Sequence, residues 1–538
     1  MTSSDHDPES PLARAATLRS LRPKARVAEL ARAFAPTLSR RRATLGLGAL
    51  VGAAALAGCG DSEGGSETDA GTTGGGTDGS TGEGSSSSDA GSSSSATTGD
   101  TTEDPGIEVC EAPDATPEEL LANIDHIVVV MMENRSFDHM MGALALAEAL
   151  PVNGLTGAES NSTLGGDPIG VFNLDHFISV DDPPHGWSAS REQWNLGQND
   201  GFVRAYEEEG ASDPAEIMGY YVRAQLPISY ALADEYVLCD RWHASVLGPT
   251  WPNRFYLHLA SSDGNMGNDA VQSELPSIFS ACAEKGVSAK YYASNLPFPV
   301  VYGTHGSEPH MAQAQDFFED AAAGNLPSFC MIEPTLTAFN VIGNDDHPPA
   351  DVQDGQGFLA TVYNALAQSP NWARTLLIVT YDEHGGYYDH VSPPEVFDER
   401  PEFRQLGFRV PSFVIGAQVR RGCANGLLFD HVSVAATVTR RFGLTPLNER
   451  VTMTADLSSC IDPARVNDPR PPIALPMVRV RRPRVIIPGG NFGGQVELAR
   501  AIERGDKYAH RRWRQRSVEA IEAALEHGRR LRALRVIG

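Results

Sequence analysis

Basic residues are scarce in this chain: 43 Lys and Arg stand against 69 Asp and Glu, a formal net charge of −26 over 538 residues. A surface that acidic repels a phosphate backbone instead of neutralising it, so general nucleic-acid binding is excluded. Internal repeats are missing as well, and none of the seven cysteines falls into a C-x-x-C pair. The length admits two or three domains, but a large α/β enzyme often uses it as one domain with insertions.

The amino terminus carries an address. Ser39-Arg40-Arg41-Arg42 precedes a run of small and apolar residues from Ala43 to Ala57 that ends at Leu56-Ala57-Gly58-Cys59. A charged segment, a short apolar stretch and a small-residue cleavage site make a secretory signal, and the apolar stretch is short for a membrane-spanning helix. Residues 1–59 are accordingly read as a twin-arginine-like signal with a lipoprotein box. Cys59 is the expected lipidation site, and the mature protein is expected to be exported and held in the cell envelope by that lipid or secreted. Residues 60–107, nearly all Gly, Ser, Thr, Asp and Glu over most of their length, have no periodic apolar positions and are expected to form a flexible tether.

If Cys59 takes a lipid, Cys110, Cys239, Cys282, Cys330, Cys423 and Cys460 remain, an even number that permits disulfides in an exported protein. Cys239 and Cys330 sit in apolar runs and read as buried thiols, while Cys423 is expected to pair with Cys460.

From residue 108 the composition becomes globular. Short apolar runs at Ile127–Met132, Tyr236–Cys239, Phe329–Ile332, Thr375–Thr380 and Val410–Ile415 alternate with helical patterns such as Gln313–Ala323 and Gly357–Gln368. Continuous apolar runs of that length predict buried strands of a mostly parallel sheet, hence an α/β fold with helices on both faces over residues 108–470. Residues 471–538 read as a basic, largely helical extension with one amphipathic helix over Arg516–Leu534. Its arginines suit either a solvated face against the acidic body or contact with anionic lipid headgroups.

Polar residues crowd the ends of two predicted strands. The first run leads into Glu133-Asn134-Arg135-Ser136-Phe137-Asp138-His139, and the run ending at Thr380 leads into Tyr381-Asp382-Glu383-His384-Gly385-Gly386. Ligands of open α/β sheets bind beyond the carboxyl ends of strands. Three carboxylates and an amide oxygen converging there would need a cation. Each pair taken alone also suits an Asx-turn or a helix cap. Gly248-Pro249-Thr250-Trp251-Pro252-Asn253-Arg254 forms a turn able to present Thr250 at a helix N-terminus, where a phosphate is favoured; Thr250 alone also suits an N-cap. Loop histidines His185, His347 and His384 suit donation to phosphate oxygens or to a leaving alkoxide, or plain structural hydrogen bonds.

In their order, these motifs resemble those of the non-specific phospholipase C family, which includes bacterial acid phosphatases and belongs to the alkaline phosphatase superfamily. The resemblant segments are Glu133 to His139, Thr250 to Arg254, Asn344-Asp345-Asp346-His347-Pro348 with Asp351 and Gly355-Gln356, and Asp382 to Val391 with Pro393-Pro394. The resemblance implies an alkaline-phosphatase-like fold. It also implies metal ligation by Glu133, Asn134, Asp382 and Glu383, a nucleophile at Thr250, and His185, His347 and His384 beside the phosphate. Asn253 and Arg254 are expected to touch substrate.

The activity so implied is metal-dependent hydrolysis of phosphate esters through a phosphothreonine, with phospholipid headgroups or small phosphate esters as substrate. Oxygen-rich ligation suits calcium, magnesium or manganese ahead of zinc. A broad acid phosphatase and a catalytically inactive surface lipoprotein are the alternatives. The long C-terminal β-modules of haemolytic relatives are not evident, and the sulfatase pattern C/S-x-P-x-R is not visible.

Overall fold

The computed structural model describes residues 106–481 and 509–537, apart from 180, 270, 272, 296, 303–309 and 339–340. The segment expected to be a signal, with Cys59, and the expected tether up to Pro105 lie outside the described residues.

The apolar runs become a nine-stranded sheet. In chain order its strands are β1 Glu108–Val109, β2 His126–Met132, β3 Val237–Leu238, β4 Ala289–Ala293, β5 His310–Gln313, β6 Phe329–Ile332, β7 Thr375–Tyr381, β8 Phe413–Gly416 and β9 Cys423–Ala424. Across the sheet they lie β1-β9-β3-β8-β7-β2-β6-β4-β5. Every pairing is parallel except those of β8, which runs antiparallel to both β7 and β3. Every residue of β7 and all but the first of β2 are buried, as strands covered on both faces must be. This is the predicted α/β architecture. β1, β4, β5 and β9 had no counterpart among the predicted runs.

Seven helices bear on the site and on the C-terminal segment: α1 Phe137–Met141, α2 Trp187–Trp194, α3 Thr250–Leu259, α4 Ala314–Ala323, α5 Val352–Ala367, α6 Val432–Phe442 and α7 Ala509–Arg530. They sort into sets that pack among themselves, α4 with α5 and α7 in one and α3 with α6 in another.

The basic C-terminal segment is no appendage. Val478–Arg481 (β10) pairs in parallel with Leu534–Ile537 (β11), with α7 between them in the chain. Val480 and Leu534 pack over Gly357 of α5, and Asn295 donates its side-chain amide to the buried Ser517 hydroxyl at 3.1 Å. The helix expected over Arg516–Leu534 therefore begins earlier, at Ala509, and stops at Arg530, and Leu534 opens a strand.

One cysteine expectation is overturned. Cys423 bonds to Cys110, 313 residues away, and Cys460 stays a buried thiol. The sheet dictates the choice: β1 pairs with β9 so that Glu108 lies opposite Cys423, and the Cys110 amide donates to the Ala424 carbonyl at 2.9 Å. Cys239 and Cys330 are buried thiols, as their apolar surroundings suggest.

Candidate active site

Three adjacent parallel strands, β7, β2 and β6, end on the same side of the sheet, each followed by a carboxylate. Register sets Tyr381 opposite Met132 and Met331 opposite Val129, so Asp382, Glu133 and Glu333 emerge close together. The two loops then interlock. Asn134 adopts a left-handed φ of 57°, which asparagine tolerates well, and its amide donates to Asp382 Oδ1 at 3.0 Å. Gly385 presses against it, and a Cβ there would come within 2.1 Å of the Asn134 carbonyl oxygen. The Gly385 amide in turn donates to Glu383 Oε2 at 2.7 Å.

Thr250 opens α3 behind Pro249 and is fully buried. One turn on, on the same helix face, Arg254 reaches Glu133 at 3.0 Å, Glu333 at 3.2 Å and Asp382 at 3.4 Å. The Thr250 turn is thereby held against the carboxylate cluster.

Three buried oxygens at this place, Asn134 Oδ1, Thr250 Oγ1 and Glu383 Oε1, have no hydrogen-bond partner among the described residues. Buried polar atoms are rarely left so unless an ion or water serves them. Electrostatics agree. Burial raises Asp382 and Glu383 above the usual carboxylate range, and it pushes Glu333 to about 8 and Asp345 and Asp346 to about 7. Burial outweighs the opposing pull of Arg254 on Glu333 and Asp382, of Arg135 on Asp346 and of His185 on Glu383. By donor chemistry Glu133, Asn134, Asp382 and Glu383 suit a hard divalent cation, whereas the clustered ligating atoms among the described residues are those of Asp182, His185 and His347 and of Asp138, Asp389 and His390.

His185 and His347 are both anchored through Nδ1, which donates at 2.7 Å to the Pro183 and Pro348 carbonyls respectively. His185 Nε2 lies 3.3 Å from Asn134 Nδ2 and 3.7 Å from Glu383 Oε1, and His347 Nε2 lies 3.9 Å from Asp182 Oδ1. Burial works against their charge, but Glu383 and Asp182 outweigh it at His185, and Asp182, Glu133 and Asp345 do so at His347. Both end above the ordinary histidine value. Ligating atoms of Asp182, His185 and His347 lie within 4.8 Å of one another.

Three of the expected site residues are engaged by groups of the protein itself. His384 donates Nε2–H to Gln193 Oε1 at 2.7 Å and its Nδ1 sits 3.2 Å from Glu383 Oε2, so both ring nitrogens face protein groups. Arg254 is the counter-ion of three buried carboxylates, and its Nη2 makes no hydrogen bond among the described residues. Asn253 is taken up by its own loop: its Oδ1 accepts the Val246 amide at 2.9 Å, and its Nδ2 donates to Gly248 and Pro249 carbonyls at 3.0 and 3.1 Å. The Trp251 amide, in the turn expected to cradle phosphate, is also occupied, by Asn268 Oδ1 at 2.9 Å.

Asn253 thus places Thr250. Asn253→Ala is expected to lower kcat by roughly 10²-fold through misplacement of the hydroxyl while KM changes little. Steady-state kinetics on a soluble ester check this, and a KM rise at constant kcat would return Asn253 to substrate binding.

A second group of candidate ligands, Asp138, Asp389 and His390, already holds a cation. The Arg409 guanidinium donates to Asp138 and Asp389 at 2.9 Å each, locking the first motif onto the last. Glu333 and Asp182 escaped the sequence reading. Glu333 follows the apolar run of β6 as Glu133 and Asp382 follow theirs, so its signal was present, whereas Asp182 lies in a loop with none.

The sequence profile of the phosphoesterase family matches residues 124–445, a stretch that holds every site residue named above and ends before β10. Non-specific phospholipase C1 of Arabidopsis thaliana is 36% identical over 367 residues, covering 61% of this chain and 68% of its own. Phospholipase C A of Mycobacterium tuberculosis is 30% identical over 432 residues, covering 66% and 81%. A solved protein of the alkaline phosphatase superfamily from Vibrio parahaemolyticus aligns with 66% of this chain and 76% of its own at 11% identity, with a TM-score of 0.32.

Proposed function

The chain belongs to the phosphoesterase family and is a phosphoric ester hydrolase, and from that premise we propose that it is a phospholipase C acting through a phosphothreonine at Thr250. The observation that carries this is the Thr250 hydroxyl: buried, without a hydrogen-bond partner, in the first turn of a ten-residue helix and one turn from the arginine that pairs with Glu133 and Asp382.

A divalent ion held by Glu133, Asn134, Asp382 and Glu383, calcium, magnesium or manganese ahead of zinc, would supply positive charge that favours the Thr250 alkoxide and the transferred phosphoryl group. Thr250 Oγ gives its proton to solvent and bonds to phosphorus as the bond from phosphorus to the diacylglycerol oxygen breaks, and the departing alkoxide takes a proton from His347, which regains one from solvent. His185 donates to a phosphoryl oxygen. Water then cleaves the phosphothreonine, releasing the phosphorylated headgroup and restoring the hydroxyl. Arg254 and Asn253 hold the turn, and the Gly385 amide holds Glu383 Oε2. Export and lipid attachment at Cys59 belong to the same proposal, resting on the Arg40–Cys59 pattern.

Diacylglycerol release from phospholipid vesicles, measured against phosphate release from 4-nitrophenyl phosphate, tests the substrate side. The phospholipase reading expects diacylglycerol to form at the higher kcat/KM. Hydrolysis of the monoester alone would make the protein a phosphatase.

A further inference from the structure

β10 and β11 set Arg479 directly opposite Arg535, and Arg481 opposite Ile537. Val478, Val480 and Leu534 are buried, so by strand alternation Arg479, Arg481 and Arg535 share the outer face, where all three are exposed, as is the neighbouring Arg532. None of these four guanidinium groups has an ion pair or hydrogen bond among the described residues. Like charges opposite one another on a sheet face are destabilising. The chain as a whole has 69 acidic side chains with which such charges could have been matched. An arginine face left uncompensated in so acidic a protein suits an anionic partner outside the chain.

Its surroundings narrow the partner. Beside the face lies a cavity of about 360 Å³ lined by Arg479, Arg481, Ile537, His176, Ile178 and Asp351. Ile178 and Asp351 are bridged through their backbones, and their two segments carry His185 and His347 respectively. Cationic and apolar groups, with the Asp351 carboxyl among them, thus meet on one surface, beside the segments that bear the histidines. A long polyanion would also meet the acidic remainder of the protein, whereas a planar anionic surface need touch only this face.

We propose that the Arg479–Arg481–Arg532–Arg535 face docks the protein on anionic phospholipid bilayers. This attachment is separate from any lipid on Cys59 and does not depend on the catalytic reading.

The test is sedimentation of the full chain, carrying Cys59→Ser so that no lipid is attached, with vesicles of phosphatidylcholine with and without phosphatidylglycerol. Binding is expected only with the anionic lipid and is expected to fall as salt is raised. Arg479→Gln with Arg535→Gln should weaken it roughly 30-fold, and Arg481→Gln with Arg532→Gln by a similar factor. Melting temperature reports folding for each pair, so that either pair suffices if the other misfolds. Binding to neither vesicle, equal binding to both, or undiminished binding by a folded variant would overturn the proposal. So would tighter binding to duplex DNA than to the anionic vesicles.

Discussion

Thr250→Ala is expected to reduce turnover of every phosphate ester by roughly 10³- to 10⁶-fold, the range seen when an attacking side chain is removed and only binding and electrostatics remain. The change should be nearly silent otherwise. Thr250 Oγ makes no hydrogen bond to lose, and the helix it opens is capped by backbone geometry at Pro249 without any side-chain cap. The variant should therefore melt close to the parent and keep its divalent-ion binding, with Thr250→Ser restoring part of the rate. Turnover assays alongside thermal melts separate the outcomes. An alanine variant as active as the parent would remove Thr250 from the chemistry and leave the family assignment untouched.

Arg254→Met is expected to act through stability. It leaves Glu133, Glu333 and Asp382 buried without their shared counter-ion, and the loss of one partner from a buried ionic cluster costs about 3–5 kcal/mol. A divalent ion bound to the same carboxylates stabilises the folded state by mass action. Saturating calcium, magnesium or manganese should accordingly raise the melting temperature of the variant by more than that of the parent. Melting curves with and without EDTA measure this. A variant that melts like the parent and is insensitive to metal would show that Arg254 and the proposed ion do not serve the same charges.

The contrast between Thr250 and Arg254 shows which parts of the site could be read in advance. β2 and β7 are unbroken apolar runs that stop at Glu133 and Asp382, so strand, strand end and acid were all visible, and parallel pairing made them neighbours. β6 ends the same way at Glu333, but a single acid before proline lacks the paired pattern of Glu133-Asn134 or Asp382-Glu383 and passed unnoticed. An arginine within a motif reads as a substrate ligand, because a sequence does not reveal how many buried carboxylates surround it. The engagement of Asn253 was hidden for a related reason: its hydrogen bonds go to the backbone of residues 246–249, and backbone partners have no sequence signature. Cys110 directly follows one strand of two residues and Cys423 opens another, both too short for any periodicity to register their pairing. Arg479 and Arg535 meet only because α7 carries the chain back, a crossover that the basic composition of the segment did not disclose.

The most direct measurement is a crystal structure of the metal-replete protein with orthovanadate bound. One cation should lie within about 2.0–2.6 Å of oxygens from Glu133, Asn134, Asp382 and Glu383. Vanadium should be bonded to Thr250 Oγ, with His185 and His347 beside its oxygens. A cation seated instead on Asp182, His185 and His347, or vanadate held away from Thr250, would contradict the account.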